Sequence, residues 1–155
     1  MVSVSPTLML PSRAREVSNQ VRRVGLSTKS LISIIDDDEG MREAIGGLMR
    51  SLGFAVATFP SAADFLACSN FPETSCLIAD VQMSGMTGIE LYRQLRGSGF
   101  SIPTILITAY PNDSVRARVL ADGVICYLSK PFDEGALLRC ISAALKRVDP
   151  AEGHA

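Results

Sequence analysis

The stretch Leu31-Ile32-Ser33-Ile34-Ile35-Asp36-Asp37-Asp38 is a short apolar run that stops on three consecutive acids. Three later runs have the same form and end in other polar groups. Cys76-Leu77-Ile78-Ala79 ends in Asp80, Thr104-Ile105-Leu106-Ile107 ends in Thr108, and Val124-Ile125-Cys126-Tyr127-Leu128 ends in Ser129-Lys130-Pro131. Runs of this length, rich in β-branched residues, read as strands buried on both faces. If they are parallel, their polar ends emerge together at one edge of one sheet, where open parallel sheets bind ligands. Carboxylates, a hydroxyl and an ammonium gathered there suit a divalent cation and a phosphoryl group.

Between these runs the chain carries helical patterns. Met41, Ala44, Ile45, Leu48 and Leu52 recur at helical spacing, with Gly53 as a stop. Phe54–Thr58 reads as a further strand, and Ser61 caps a short helix with Ala62, Phe65 and Leu66 inward. Thr87 and Glu90 have the spacing of a capping box, opening a helix with Ile89, Leu91, Tyr92 and Leu95 that ends at Gly97-Ser98-Gly99. Another helix starts near Asn112 and stops at Gly123. Asp133 is placed as an N-cap, with Phe132 and Leu137 as a hydrophobic staple, before a last helix that buries Leu137, Leu138, Ile141, Ala144, Leu145 and Val148. Five strands alternating with five helices predict an α/β fold: a doubly wound five-stranded parallel sheet with helices on both faces.

The 155 residues leave room for one domain with a good core, and the formal net charge of −1 gives no bulk attraction to nucleic acid or anionic lipid. No apolar run approaches the ~20 residues of a membrane span. Residues 1–30 stand apart, with six serines, four arginines and one lysine against the single acid Glu16. They read as a disordered extension, although their acid-poor balance also resembles a transit peptide. The folded unit is expected over 31–148, with 149–155 as a short tail. None of Cys68, Cys76, Cys126 and Cys140 forms a close-spaced metal pair, so all four are expected to be small buried hydrophobes in a reducing compartment.

Three close aspartates repel one another and call for a cation. Mg²⁺ takes carboxylate oxygens, water and phosphate oxygens. An aspartate can also accept a phosphoryl group, and that transfer needs positioning and charge neutralisation above all. Lys130 supplies positive charge and Thr108 a hydroxyl donor.

With these residues in order, the chain from Leu31 to about Val148 resembles the receiver domain of two-component response regulators. It is most similar to the nitrogen-fixation, FixJ-like receivers. The matching residues are Ile34-Ile35-Asp36-Asp37, Asp80-Val81-Gln82-Met83, Gly85-Met86-Thr87-Gly88-Ile89-Glu90, Ile107-Thr108-Ala109 and Lys130-Pro131-Phe132. Asp80 lies 43 residues after Asp37, Thr108 lies 28 after Asp80, and Lys130 lies 22 after Thr108. The resemblance implies a flavodoxin-like fold of strand order 2-1-3-4-5. It implies that Asp80 is the phospho-acceptor and that Mg²⁺ is held by Asp36, Asp37, Asp80 and the backbone carbonyl of Gln82, with Asp36 acting through a water. Lys130 would pair with the phosphoryl group, Thr108 would be the switch hydroxyl, and Tyr127 would be the switch aromatic, rotating inward as Thr108 moves. The Lys130-Pro131 bond would be cis. The implied partners are a histidine kinase or a histidine phosphotransferase and an unidentified downstream protein, with no direct contact to nucleic acid or membrane and a cytoplasmic location. The protein would be no enzyme beyond its own phosphorylation and slow dephosphorylation.

Three features depart from the family's commonest pattern. Ser84 replaces a usual proline, Tyr110 follows Ala109 where smaller or charged residues are frequent, and the chain stops where FixJ-like relatives carry a DNA-binding domain. The last, with Met1 and the closing helix, reads as a stand-alone receiver. Two other readings remain. A haloacid-dehalogenase-type phosphatase would use Asp36 and Asp38 as its D-x-D motif with Thr108 and Lys130, but it lacks a late acidic pair and leaves Asp80 unused. A receiver that serves as a docking module without phosphate would keep the same fold.

Overall fold

The computed structural model describes residues 30–153, with side chains described through Lys146. The extension expected over 1–30 therefore lies outside the described residues, apart from Ser30. Five strands and five α-helices alternate: β1 (Leu31–Ile35), α1 (Glu39–Ser51), β2 (Ala55–Phe59), α2 (Ala62–Ala67), β3 (Cys76–Asp80), α3 (Gly88–Gly97), β4 (Thr104–Thr108), α4 (Asp113–Asp122), β5 (Cys126–Ser129) and α5 (Glu134–Gly153). A 3₁₀ turn at Phe71–Glu73 precedes β3. The strands form one parallel sheet in the order β2-β1-β3-β4-β5. This is the doubly wound, flavodoxin-like order.

Strand periodicity divides the core into two layers. Ile32, Ile34, Ile78, Ile105 and Ile107 face α1 and α5, where they meet Ile45, Met49, Leu137 and Ile141. The alternate residues Ile35, Leu77, Ala79 and Leu106 face α2, α3 and α4, meeting Phe65, Leu91, Leu95 and Val119. Side chains two apart share a face of a strand, so one apolar run supplies both layers. That is why β3 and β4 are buried at every residue. Ser33 is the polar member of β1, and its hydroxyl is satisfied by Thr74 Oγ1 at 2.7 Å.

The helices start where their caps put them. Ser61 accepts from Asp64 N–H, Asn112 accepts from Val115 N–H, and the Thr87–Glu90 capping box is formed in both directions. Asp133 Oδ2 accepts from Ala136 N–H at 3.2 Å. Gly123 ends α4 with φ 112°, a left-handed conformation that favours glycine.

Several expectations are corrected. β2 begins at Ala55 rather than Phe54 and ends at Phe59, while Phe54 is buried before the strand starts. β5 covers Cys126–Ser129, so Val124 and Ile125 lie in the approach to it. Ala44 is exposed, because the buried stripe of α1 is carried by Ile45, Gly46 and Met49. α5 continues to Gly153, the first glycine after its opening turn, so residues 149–153 are helical rather than a tail. The cysteines divide. Cys76 is buried and free and Cys68 half-buried and free, but Cys126 and Cys140 form a disulfide with Cα atoms 6.1 Å apart. Packing of α5 on β5 opposes two residues 14 apart in sequence, and no local spacing rule reports such a contact. Burial pushes the Cys76 thiol up to about 12 and leaves it inert.

Candidate functional site

Parallel register brings the polar strand ends together. Ile35 pairs with Ala79, Asp80 with Ile107, and Thr108 with Ser129. The ladder continues past the strands, with Val81 N–H donating to Ile107 O and Lys130 N–H to Thr108 O, both at 2.8 Å. Asp36, Asp80, Thr108 and Lys130 therefore border one crevice.

Asp36 and Asp80 are buried and Asp37 is exposed. Each offers a carboxylate oxygen, and the three oxygens lie within 4.8 Å of one another. Lys130 Nζ stands between the two buried acids, 3.1 Å from Asp36 Oδ2 and 3.4 Å from Asp80 Oδ2. The remaining carboxylate contacts are local: Asp38 N–H donates to Asp36 Oδ1 at 2.9 Å and Gln82 N–H to Asp80 Oδ1 at 3.4 Å. Asp38 turns away from the crevice to cap α1, accepting from Gly40 and Met41 N–H. That removes the second acid of a D-x-D phosphatase motif.

Burial and the neighbouring Asp36 charge push the Asp80 carboxyl up to about 6, against the opposing pull of Lys130. Burial works to lower the Lys130 ammonium, but the hydrogen bonds and charges of Asp36 and Asp80 outweigh it and hold Lys130 above its ordinary value. One ammonium facing three carboxylates leaves an excess of negative charge. This donor set, all oxygen and short of positive charge, fits a hard divalent cation.

On the other side of Asp80, the Thr108 hydroxyl donates to Gln82 Oε1 at 2.8 Å and accepts from Tyr110 N–H at 3.0 Å. Tyr127 is buried on the α2–α4 side of the sheet, and its hydroxyl accepts from Asn112 N–H at 3.3 Å. The loop from β4 to α4 is thus held at two backbone N–H groups, one by each expected switch residue. The ring of Tyr127 is already inside, so the expected inward rotation does not apply to this conformation. The Lys130-Pro131 peptide bond is cis.

Two contributors escaped the sequence reading. The Gln82 side chain holds Thr108, and Arg42 Nη1 donates to the Asp36 carbonyl at 2.7 Å. Neither carries a sequence signal, because a loop glutamine and an exposed-looking helix arginine are ordinary surface residues. Glycine at position 88 has a structural reason: a Cβ there would lie 2.5 Å from the Asp80 carbonyl oxygen. It lets α3 start against the strand end that carries Asp80.

The family model for the response regulator receiver domain matches residues 32–142. The chain belongs to this family. It is 40% identical over 117 residues to the response regulator protein TodT of Pseudomonas putida, covering 76% of this chain and 52% of TodT. It is 31% identical over 126 residues to the transcriptional regulatory protein FixJ of Bradyrhizobium diazoefficiens, covering 81% of this chain and 62% of FixJ. A crystal structure of a receiver protein from Burkholderia phymatum superposes with a TM-score of 0.65 at 40% identity, covering 76% of this chain and 96% of that one. The chain spans about half the length of TodT. Response regulator receivers are signalling domains that take phosphoryl groups from histidine kinases. Among the described residues, no helix is long and apolar enough to cross a membrane.

Proposed function

We propose that this receiver takes a phosphoryl group from a phosphohistidine, on a histidine kinase or a histidine phosphotransferase, onto Asp80. The observation that carries the reading is Lys130 Nζ set between the Asp36 and Asp80 carboxylates. An Asp80 carboxylate oxygen attacks phosphorus, the phosphorus–nitrogen bond of the donor breaks, and an acyl phosphate forms. The leaving imidazole keeps the electron pair and takes up a proton. Asp36, Asp37, Asp80 and the backbone carbonyl of Gln82 would hold Mg²⁺, which supplies positive charge to the phosphoryl oxygens. Lys130 exchanges its contact with the Asp80 carboxylate for one with a phosphoryl oxygen and keeps its contact with Asp36.

The Thr108 hydroxyl then turns to the phosphoryl group, whose oxygens are strong acceptors. Tyr110 N–H loses its present acceptor, and the loop to α4 is released at that point. Tyr127 carries the change further through its bond to Asn112 N–H. A protein partner that binds one form of the surface around α4, β5 and α5 more tightly shifts the balance by that difference alone. Catalysis is confined to the domain's own phosphorylation and slow dephosphorylation. The setting proposed is the cytoplasm.

The test is chemical trapping. The protein is incubated with acetyl phosphate and Mg²⁺, treated with borohydride to reduce acyl phosphate to homoserine, and mapped by peptide mass. Conversion at position 80, abolished by a chelator, is expected. Trapping at another residue, or trapping indifferent to chelator, contradicts the reading.

A further inference from the structure

Thr108 is fully buried, and a buried hydroxyl needs an acceptor for its proton. Its oxygen already accepts from Tyr110 N–H. Its one proton goes to the carboxamide oxygen of Gln82, 2.8 Å away. A hydroxyl has one proton to give. While Thr108 donates to Gln82, it cannot donate to a phosphoryl oxygen on Asp80. Gln82 also touches the other end of the same event, since its backbone N–H donates to Asp80 Oδ1 at 3.4 Å. One loop residue thus links the acceptor aspartate to the switch hydroxyl.

We propose that the Gln82 carboxamide is a latch that holds Thr108 in the unphosphorylated position and sets how readily the domain switches. It is a positioning residue acting through Thr108. The inference rests on the proposal that Asp80 takes the phosphoryl group, and it adds a residue that opposes the response. The side chain belongs to an exposed residue in the loop after β3, so it can be replaced without disturbing the core, and the backbone carbonyl is unaffected by the replacement. Gln82→Met keeps the bulk and removes the acceptor. The unswitched state then loses a bond that the switched state does not use, so the switched state gains by comparison.

The experiment measures binding of beryllofluoride, a phosphoryl mimic, in the presence of Mg²⁺ by fluorine NMR. The proteins compared are wild type, Gln82→Met, Thr108→Val and the double variant, with Asp80→Asn as the blank. Gln82→Met is expected to bind about fivefold more tightly than wild type, the effect of one neutral hydrogen bond. In the Thr108→Val background, with no hydroxyl to hold, the same substitution is expected to change binding less than twofold. Unchanged or weaker binding by Gln82→Met overturns the latch. An equal gain in the Thr108→Val background also overturns it, since the effect would then bypass Thr108. Failure of wild type to bind the probe at Asp80 is a different result, and it overturns the underlying assignment of Asp80.

Discussion

Asp80 holds its proton more tightly in the fold than a free carboxyl does, at about 6 against 3.8. Burial and the charge of Asp36 are the causes. The folded state binds this proton better than the unfolded chain, so its contribution is full below about pH 4 and is lost as pH rises through 6. At neutral pH the metal-free site is a source of instability that serves the chemistry rather than the fold. Asp80→Asn stays neutral at every pH and removes the penalty. In chelator-containing buffer it is expected to be more stable than wild type at pH 7.5 by at most about 3 kcal/mol, since one pKa unit is worth about 1.4 kcal/mol and solvent reaching the crevice screens part of the shift. The margin is expected to shrink as pH falls from 7 to 4. Denaturant unfolding of both proteins across that range checks it, and a margin that grows on acidification contradicts the account. Mg²⁺ should narrow the margin at pH 7.5 by binding the folded wild type.

At the scale of elements, β5 and α5 are tied by the Cys126–Cys140 bond and by the packing of Leu137, Ile141 and Ala144 into the α1–α5 layer. Cys126 and Tyr127 are neighbours on β5 and face opposite layers. The bond therefore anchors the strand from behind while Tyr127 reaches the start of α4. Closing a loop of about 15 residues contributes about 3 kcal/mol. Reductant is expected to lower the melting temperature of wild type by several degrees. It should leave a Cys126→Ala/Cys140→Ala variant unchanged at a similarly lowered value. A wild type indifferent to reductant, with four alkylatable thiols before its addition, would show that the bond does not form in solution. α3 and α4 are tied differently. Arg96 Nη1 and Tyr92 Oη both donate to the carbonyl of Asp122, and Arg93 pairs with its carboxylate at 3.4 Å. That last pair is exposed and contributes little.

Across the whole molecule, the fold was legible because β1, β3 and β4 are covered on both faces, which leaves short apolar runs, broken only by Ser33 in β1, with a polar residue at the carboxyl end of each. Parallel direction then gathers Asp36, Asp80, Thr108 and Lys130 without further information. The rest depends on contacts that no local pattern encodes. The bond between Cys126 and Cys140 needs the docking of α5 on β5. The hold of Gln82 on Thr108 needs the path of a loop, and the inward position of Tyr127 needs the start of α4 as its neighbour. The limits of β2 shifted because Phe54 and Phe59, at either end of the run, are equally good strand residues. The role of Asp80 is reached most directly by one measurement. Intact masses of wild type and Asp80→Asn are compared after incubation with acetyl phosphate and Mg²⁺. Wild type is expected to gain the mass of a single phosphoryl group and Asp80→Asn none. Equal labelling of the two proteins would contradict the account.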